Sequence, residues 1–207
     1  MKFVAIIILL LTSIFLIACS ANQASNKISN SELENLASKY GGVYVFNEKF
    51  EKEITTKEKI RREAELAIVN ASKTDAEMRK NLKGFDTKYP QTLSNGKRYY
   101  TRWIDYERET GKKAEIPETY INKIKEFMGD ENYNKSPNLP ILVMFYVDNN
   151  DEIIPIKLSM SYTYYRTKYG LFGDEGHGVR FKDEEQIFIR GGNKFVLTNG
   201  KFVKAEK

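Results

Sequence analysis

Cysteine occurs once in these 207 residues, histidine once, tryptophan once and proline five times. A single cysteine excludes an intramolecular disulfide, and with it the disulfide-stapled class of small secreted domains. One histidine and one cysteine are too few for zinc sites, which draw three or four ligands largely from those residue types. No GxSxG and no GxxxxGK[ST] is present, which removes the nucleophile elbow and the phosphate-binding loop. Gly41-Gly42 and the segment from Gly170 to Gly178, which reads as a glycine-rich loop, lack the strand-to-helix setting of a dinucleotide fingerprint, so no cofactor is implied. Neither sign of charge dominates: 33 Lys+Arg stand against 28 Asp+Glu. The signs interleave, as in Glu48, Lys49, Glu51, Lys52 and Glu53, which marks a solvated helix face and argues against nucleic acid despite a sequence pI near 9. What remains is 41% hydrophobic and 29% charged, a globular composition of one or two small domains.

Only one long apolar run exists. Phe3 to Ile17 reads FVAIIILLLTSIFLI without a charge, preceded by Met1-Lys2 and followed by Ala18-Cys19-Ser20-Ala21. A spanning helix needs about 20 apolar residues, so this shorter run with small residues after it reads as a cleaved secretory signal peptide over 1–18. Leu16-Ile17-Ala18-Cys19 resembles the lipobox of bacterial lipoprotein precursors. The resemblance implies cleavage before Cys19, a diacylglycerol thioether on its sulfur and an acyl chain, such as palmitate, on the freed amine. Two or three acyl chains hold a protein on a bilayer, so the expected location is the cell envelope, lipid-anchored. Ser20 in place of Asp implies the outer membrane if the source is Gram-negative. Removal of 1–18 takes away Lys2 and no acid, leaving 32 basic against 28 acidic residues, a formal +4.

The rest of the chain reads as a flexible tether over 19–30 and a single α+β domain over 31–207. Ser31 and Glu34 form a capping box for a helix that puts Leu33, Leu36, Ala37 and Tyr40 on one face. A short strand at 43–46 precedes a second capping box, Thr55 with Glu58. One long or gently broken helix then follows, with Ile60, Ala64, Ala67, Ile68 and Ala71 on its apolar face, and Thr74 with Glu77 offers a restart. Arg98 to Tyr106 is aromatic enough for a strand. Pro117 opens a helix carrying Tyr120, Ile121, Ile124, Phe127 and Met128. Ile141 to Val147 reads as a strand covered on both faces, and Ile154 to Tyr165 as one long alternating strand, with Pro155 indicating an edge. Segments 187–189, 195–197 and 202–203, joined by Gly191-Gly192-Asn193 and Asn199-Gly200, read as a closing meander. Helices first and strands last is an α+β order. It resembles the nuclear-transport-factor-like cone and, less closely, cystatin-like folds, in which helices pack on a curved antiparallel sheet.

Candidate chemistry is sparse. His177 lies between Gly176 and Gly178 after Asp174 and Glu175, but the spacing is not that of a calcium loop, and no metal site follows. No catalytic residues can be named. The aromatic side chains are the stronger signal: Tyr99, Tyr100, Trp103 and Tyr106 in one segment, and Tyr162, Tyr164, Tyr165, Tyr169 and Phe172 in another. Such residues serve either as sheet core or as a recognition surface. Two function classes stay open. One is an envelope-tethered binding protein (immunity, inhibitor, exclusion or assembly accessory) acting on a protein or cell-wall partner through Tyr162, Tyr164, Tyr165, Tyr169, Phe172 and His177. The other is an envelope glycan- or peptide-directed hydrolase using carboxylates. A deep pocket with inward acids favours the second, an aromatic surface the first.

Overall fold

The computed structural model describes residues 28–136, 138–174 and 178–205. The signal peptide, Cys19 and His177 lie outside the described residues. The fold is α+β: α1 (Asn30–Tyr40), β1 (Gly42–Val45), α2 (Glu48–Ala71), α3 (Asp75–Asn81), α4 (Phe85–Lys88), β2 (Tyr99–Tyr100), α5 (Trp103–Thr110), α6 (Glu118–Met128), α7 (Asp130–Asn134), then β3 (Ile141–Val147), β4 (Ile153–Met160), β5 (Tyr162–Asp174), β6 (Gly178–Ile189), β7 (Asn193–Thr198) and β8 (Lys201–Lys204). Six strands form a sheet in the order β2-β3-β4-β1-β7-β8. The sheet is mixed, because β1 and β7 run parallel. Strands β5 and β6 stand apart as a two-stranded arm.

α1 forms because its apolar positions recur at helical spacing, and all four (Leu33, Leu36, Ala37, Tyr40) are buried. Its cap is Ser29, not Ser31: the Ser29 hydroxyl accepts from the Glu32 amide at 3.2 Å. Ile28, within the stretch expected to be tether, packs on the core. α2 starts at Asn47, whose side chain accepts from Phe50 N. Thr55 is therefore interior and donates its hydroxyl to Glu51 O at 2.7 Å, which removes it as a cap. The helix ends at Ser72, which is extended, and Thr74 caps a separate α3.

The apolar face expected along α2 stays out of the core: Ala64 and Ile68 are partly covered, and Ile60, Ala67 and Ala71 are exposed. Ile54 is fully buried, whereas Ile60 is half exposed. At 1.5 Å per residue its 24 residues outrun the sheet, and the far half is held by polar contacts instead. Arg61 donates to Tyr89 O and pairs with Asp86 at 2.7 Å. Glu58 accepts from Tyr99 Oη at 2.8 Å and from Gln91 at 2.9 Å.

The segment 98–106 is a strand for two residues only. Tyr99 and Tyr100 point to opposite faces, into two clusters, and the chain then turns into α5. That turn lets Tyr106 pack edge-on to Tyr100 and Phe145, while Trp103 remains exposed. The expectation for β3 holds on both faces: Leu142 and Phe145 join the main core with α1 and α6, and Met144 and Tyr146 pack on the smaller cluster of Ile54, Leu93, Tyr99 and Ile156. Pro155 is not at an edge. It is buried in an interior strand opposite Phe145, where the β3–β4 register shifts, and that irregularity absorbs its missing N–H. The same shift breaks the expected alternation, sending Ile156 to the smaller cluster while Leu158 and Met160 join the main one.

No closing meander forms. Among the described residues β6 pairs only with β5, and Gly191-Gly192 leads the chain back beside β1. A Cβ on Gly191 would overlap the carbonyl oxygens of Ala37 and Gly41, so only glycine permits this approach. Asn193, buried, locks it: Nδ2 donates to Ser38 O and Gly41 O, both at 2.8 Å. β7 and β8 do form the expected hairpin, through Asn199 and Gly200, both at positive φ.

Opposite this junction α2 is tied to the sheet by Glu51, which is buried and meets Lys157 at 3.3 Å and Lys194 at 2.8 Å. Burial alone would raise the Glu51 pKa; the hydrogen bond from Lys194 and the charge and hydrogen bond of Lys157 outweigh it and hold the carboxyl below its ordinary 4.5. Because the folded pKa is the depressed one, this stabilisation is complete above pH 4.5 and disappears as pH falls through the folded value. Glu51→Ala is expected to cost about 3 kcal/mol, the low end for stranding buried charges, since Lys194 reaches solvent. Glu51→Gln is expected to flatten the acid limb of stability, measured by urea unfolding across pH. Gly191→Ala is expected to cost more than about 2 kcal/mol through backbone overlap, read by the same unfolding assay at neutral pH.

Candidate functional site

The arm carries the exposed aromatic side chains. β5 pairs with β6 from Tyr162↔Ile189 to Asp174↔Gly178, a ribbon of 13 and 12 residues. At about 3.3 Å per residue it is roughly 40 Å long. Directly opposed residues share a face. One face bears Tyr162, Tyr164, Arg166 and Lys168 against Ile189, Ile187, Glu185 and Asp183. The other bears Thr163, Tyr165, Thr167 and Tyr169 against Phe188, Gln186, Glu184 and Lys182. Beyond Tyr169 a bulge sets Gly170 and Leu171 against the single residue Phe181, so that Phe172 opposes Arg180 on the second face.

The candidate binding residues divide along the arm. Tyr162 is fully buried in the core, its hydroxyl has no hydrogen-bond partner among the described residues, and burial pushes it up to about 12. Tyr164 packs against the same core at the arm's base. Tyr165 is 63% exposed and Tyr169 82% exposed, and Phe172 is half-buried. Of the first aromatic group, in contrast, Tyr99, Tyr100 and Tyr106 are structural and buried, and Trp103 alone is exposed. What had read as a glycine-rich loop is the far part of the ribbon, since β5 continues to Asp174 and β6 begins at Gly178.

Four apolar residues escaped the sequence reading. Phe188 lies 63% exposed beside Tyr165, and Leu171, Val179 and Phe181 are exposed towards the tip. Their signal was the charge match between the two halves of the hairpin, Arg166-Thr167-Lys168 facing Asp183-Glu184-Glu185. That match holds the ribbon together. Glu185 accepts from Arg166 at 2.7 Å and pairs with Lys168 at 2.9 Å, and these hydrogen bonds and charges draw its carboxyl down to about 2. Within β6 itself, Lys182 meets Glu184 at 2.6 Å and Arg180 meets Asp183 at 2.8 Å, pairs that do not cross to β5.

At the opposite end of β1, β4 and β7 lies an open cleft of about 320 Å³, walled by Phe46, Tyr120, Tyr146, Ile154 and Leu197 with Lys123 at its side. None of the residues lining it is a carboxylate. No cluster of three or more His, Cys, Asp or Glu suited to a metal ion occurs among the described residues. No helix among them is long and apolar enough to cross a membrane.

Burial separates the two roles open to these tyrosines, and stability reads it out. Tyr162→Ala is expected to cost about 3–5 kcal/mol, as for an aromatic deleted from a packed core. Tyr165→Ser and Tyr169→Ser are each expected to stay within about 0.5 kcal/mol of the parent. Chemical denaturation of the three variants checks this, and a large loss at Tyr169 would return that residue to the core. No family model matches this chain, and neither a curated protein nor a solved structure matches it.

Proposed function

We propose that this protein is a membrane-anchored bacterial envelope lipoprotein that works as a binding protein, of the immunity, inhibitor, exclusion or assembly-accessory kind. Acylated Cys19 holds it on the bilayer, and the arm engages a protein or cell-wall partner. The observation that carries this reading is the row of large apolar side chains (Tyr165, Tyr169, Phe188) standing in solvent on an arm whose base residues Tyr162, Tyr164 and Ile189 alone pack in the core. Aromatic residues with a polar tip bury much area at little entropic cost, which is why they concentrate at interfaces. Exposed apolar clusters on a soluble domain mark interaction sites. The lipobox-like segment and the polar stretch after it support the anchor.

The arm can be removed cleanly, because Tyr164 and Ile187 oppose each other and a two-residue Asn-Gly turn can join them. A variant with residues 165–186 replaced by that turn is expected to fold and to lose the partner recovered by cross-linking from envelope fractions. Cys19→Ala is expected to abolish labelling by radioactive palmitate. A shortened arm that still captures the same partner would overturn the binding reading, and undiminished palmitate label on Cys19→Ala would overturn the anchor.

A further inference from the structure

We infer that the partner lying along the arm is a second copy of this chain, joined edge to edge through β6. This rests on the reading of the arm as the binding element.

A two-stranded ribbon alone is marginal in water, and its outer edges offer unpaired N–H and C=O groups to another strand. The six-stranded sheet protects its own edges: β2 has two residues, and β8 has four, beginning and ending in lysine. The arm leaves a longer edge open, since among the described residues β6 pairs with β5 and no other strand along its 12 residues, and its own charges, cations towards the tip and acids towards the base, deter a partner strand that does not match them. Charge then selects the occupant. In β6 the cations Arg180 and Lys182 lie towards the tip and the acids Asp183, Glu184 and Glu185 towards the base. Antiparallel pairing of β6 with itself sets each copy's basic part on the other's acidic part. β5 offers no such match: from Tyr162 to Gly173 its only charges are Arg166 and Lys168, which would meet cations.

The register follows from symmetry. A two-fold axis normal to the ribbon keeps each face on its own side, so only residues of like parity oppose. Centred on Lys182, the pairing would set lysine on lysine and Val179 on Glu185. Centred on Asp183, it sets Lys182 opposite Glu184 of the second copy twice over, Arg180 opposite Gln186, and the exposed Val179 opposite Ile187. The two Asp183 carboxylates that meet at the centre are each neutralised by their own Arg180 at 2.8 Å. Gly178 then reaches Phe188 of the second copy, so the pairing runs the length of β6 and each tip reaches the base of the other arm.

The test uses the chain from Ser20, which contains every described residue, in analytical ultracentrifugation over a range of concentration. The parent is expected to dimerise, less at raised salt. Lys182→Glu and Glu184→Lys, each alone, turn both cross-copy pairs repulsive and are expected to weaken the dimer by about tenfold or more. Mixed in equal amounts, the two variants are expected to associate again, since each then meets its complement. A parent that stays monomeric at every concentration, or variants whose mixture does not recover association, would overturn the inference. Co-sedimentation with phosphatidylglycerol vesicles in place of self-association would assign the arm to a lipid surface and overturn it as well. A monomeric chain whose envelope partner is still lost on shortening the arm would leave the binding reading standing and sink self-pairing alone.

Discussion

The backbone crowding around Gly42 is the constraint on which the rest of the architecture depends. Gly42 opposes Met160, the end of β4, on one side and Asn193, the start of β7, on the other. Everything between those residues is therefore an excursion that leaves the sheet and returns two strands away, at the same end. To return there β7 must run parallel to β1, and it must pass close behind the end of α1. Gly191 permits the approach and the Asn193 side chain fastens it, satisfying Ser38 O and Gly41 O where α1 ends. A bulkier residue at 191 would push β7 away, and the parallel pairing, the β7–β8 hairpin and the exit angle of the arm would go with it.

The main sheet and the arm are stabilised by different physics. The sheet is buried between α1 and α6 on one side and α2 on the other, and its aromatic side chains interlock: Tyr44 meets Phe195 at 4.9 Å and Phe202 at 5.1 Å. Along the arm burial ends within three residues of the base, at Tyr164. Beyond that the ribbon relies on backbone hydrogen bonds and on cross-strand ion pairs that solvent and salt screen. An element of that kind is among the least stable parts of a fold, which suits a surface that gains order from its partner.

Much of the α+β organisation could be read from the chain, because amphipathic helices and apolar strands announce their own period. Leu33, Leu36, Ala37 and Tyr40 are buried as their spacing requires, and Asn199-Gly200 makes the hairpin such a pair favours. Apart from the helix starts, where the nearer Ser29 and Asn47 cap locally ahead of Ser31 and Thr55, the misreadings share a cause: the deciding interaction was not local. Ile60 has the period of a core residue, yet the sheet beneath α2 ends before reaching it. Tyr162 and Tyr165 belong to one aromatic run, and only the point at which the arm leaves the sheet makes the first core and the second surface. The glycines from Gly170 onward resembled a loop because neither periodicity nor propensity reports a long-range ribbon held by Arg166, Lys168 and Glu185.

The proposed anchor and the proposed self-pairing reinforce each other thermodynamically. Edge pairing between exposed strands is weak in dilute solution, since the association entropy is set against a few cross-strand contacts of modest worth. Confinement changes that balance. A chain held at a bilayer by acylated Cys19 loses translational freedom before it meets a second copy, and tethering of this kind raises the effective concentration towards the millimolar range. An interface too weak to persist between free molecules can then be populated between anchored ones, and it remains reversible when the local density falls. The charge pattern of β6 suits that regime, because exposed ion pairs select orientation and register more than they add affinity. With both arms antiparallel and each tip at the other's base, the second faces, bearing Tyr165 and Tyr169, form one continuous surface on the same side of the four-stranded ribbon. A third molecule would then meet twice the aromatic area that either arm presents alone.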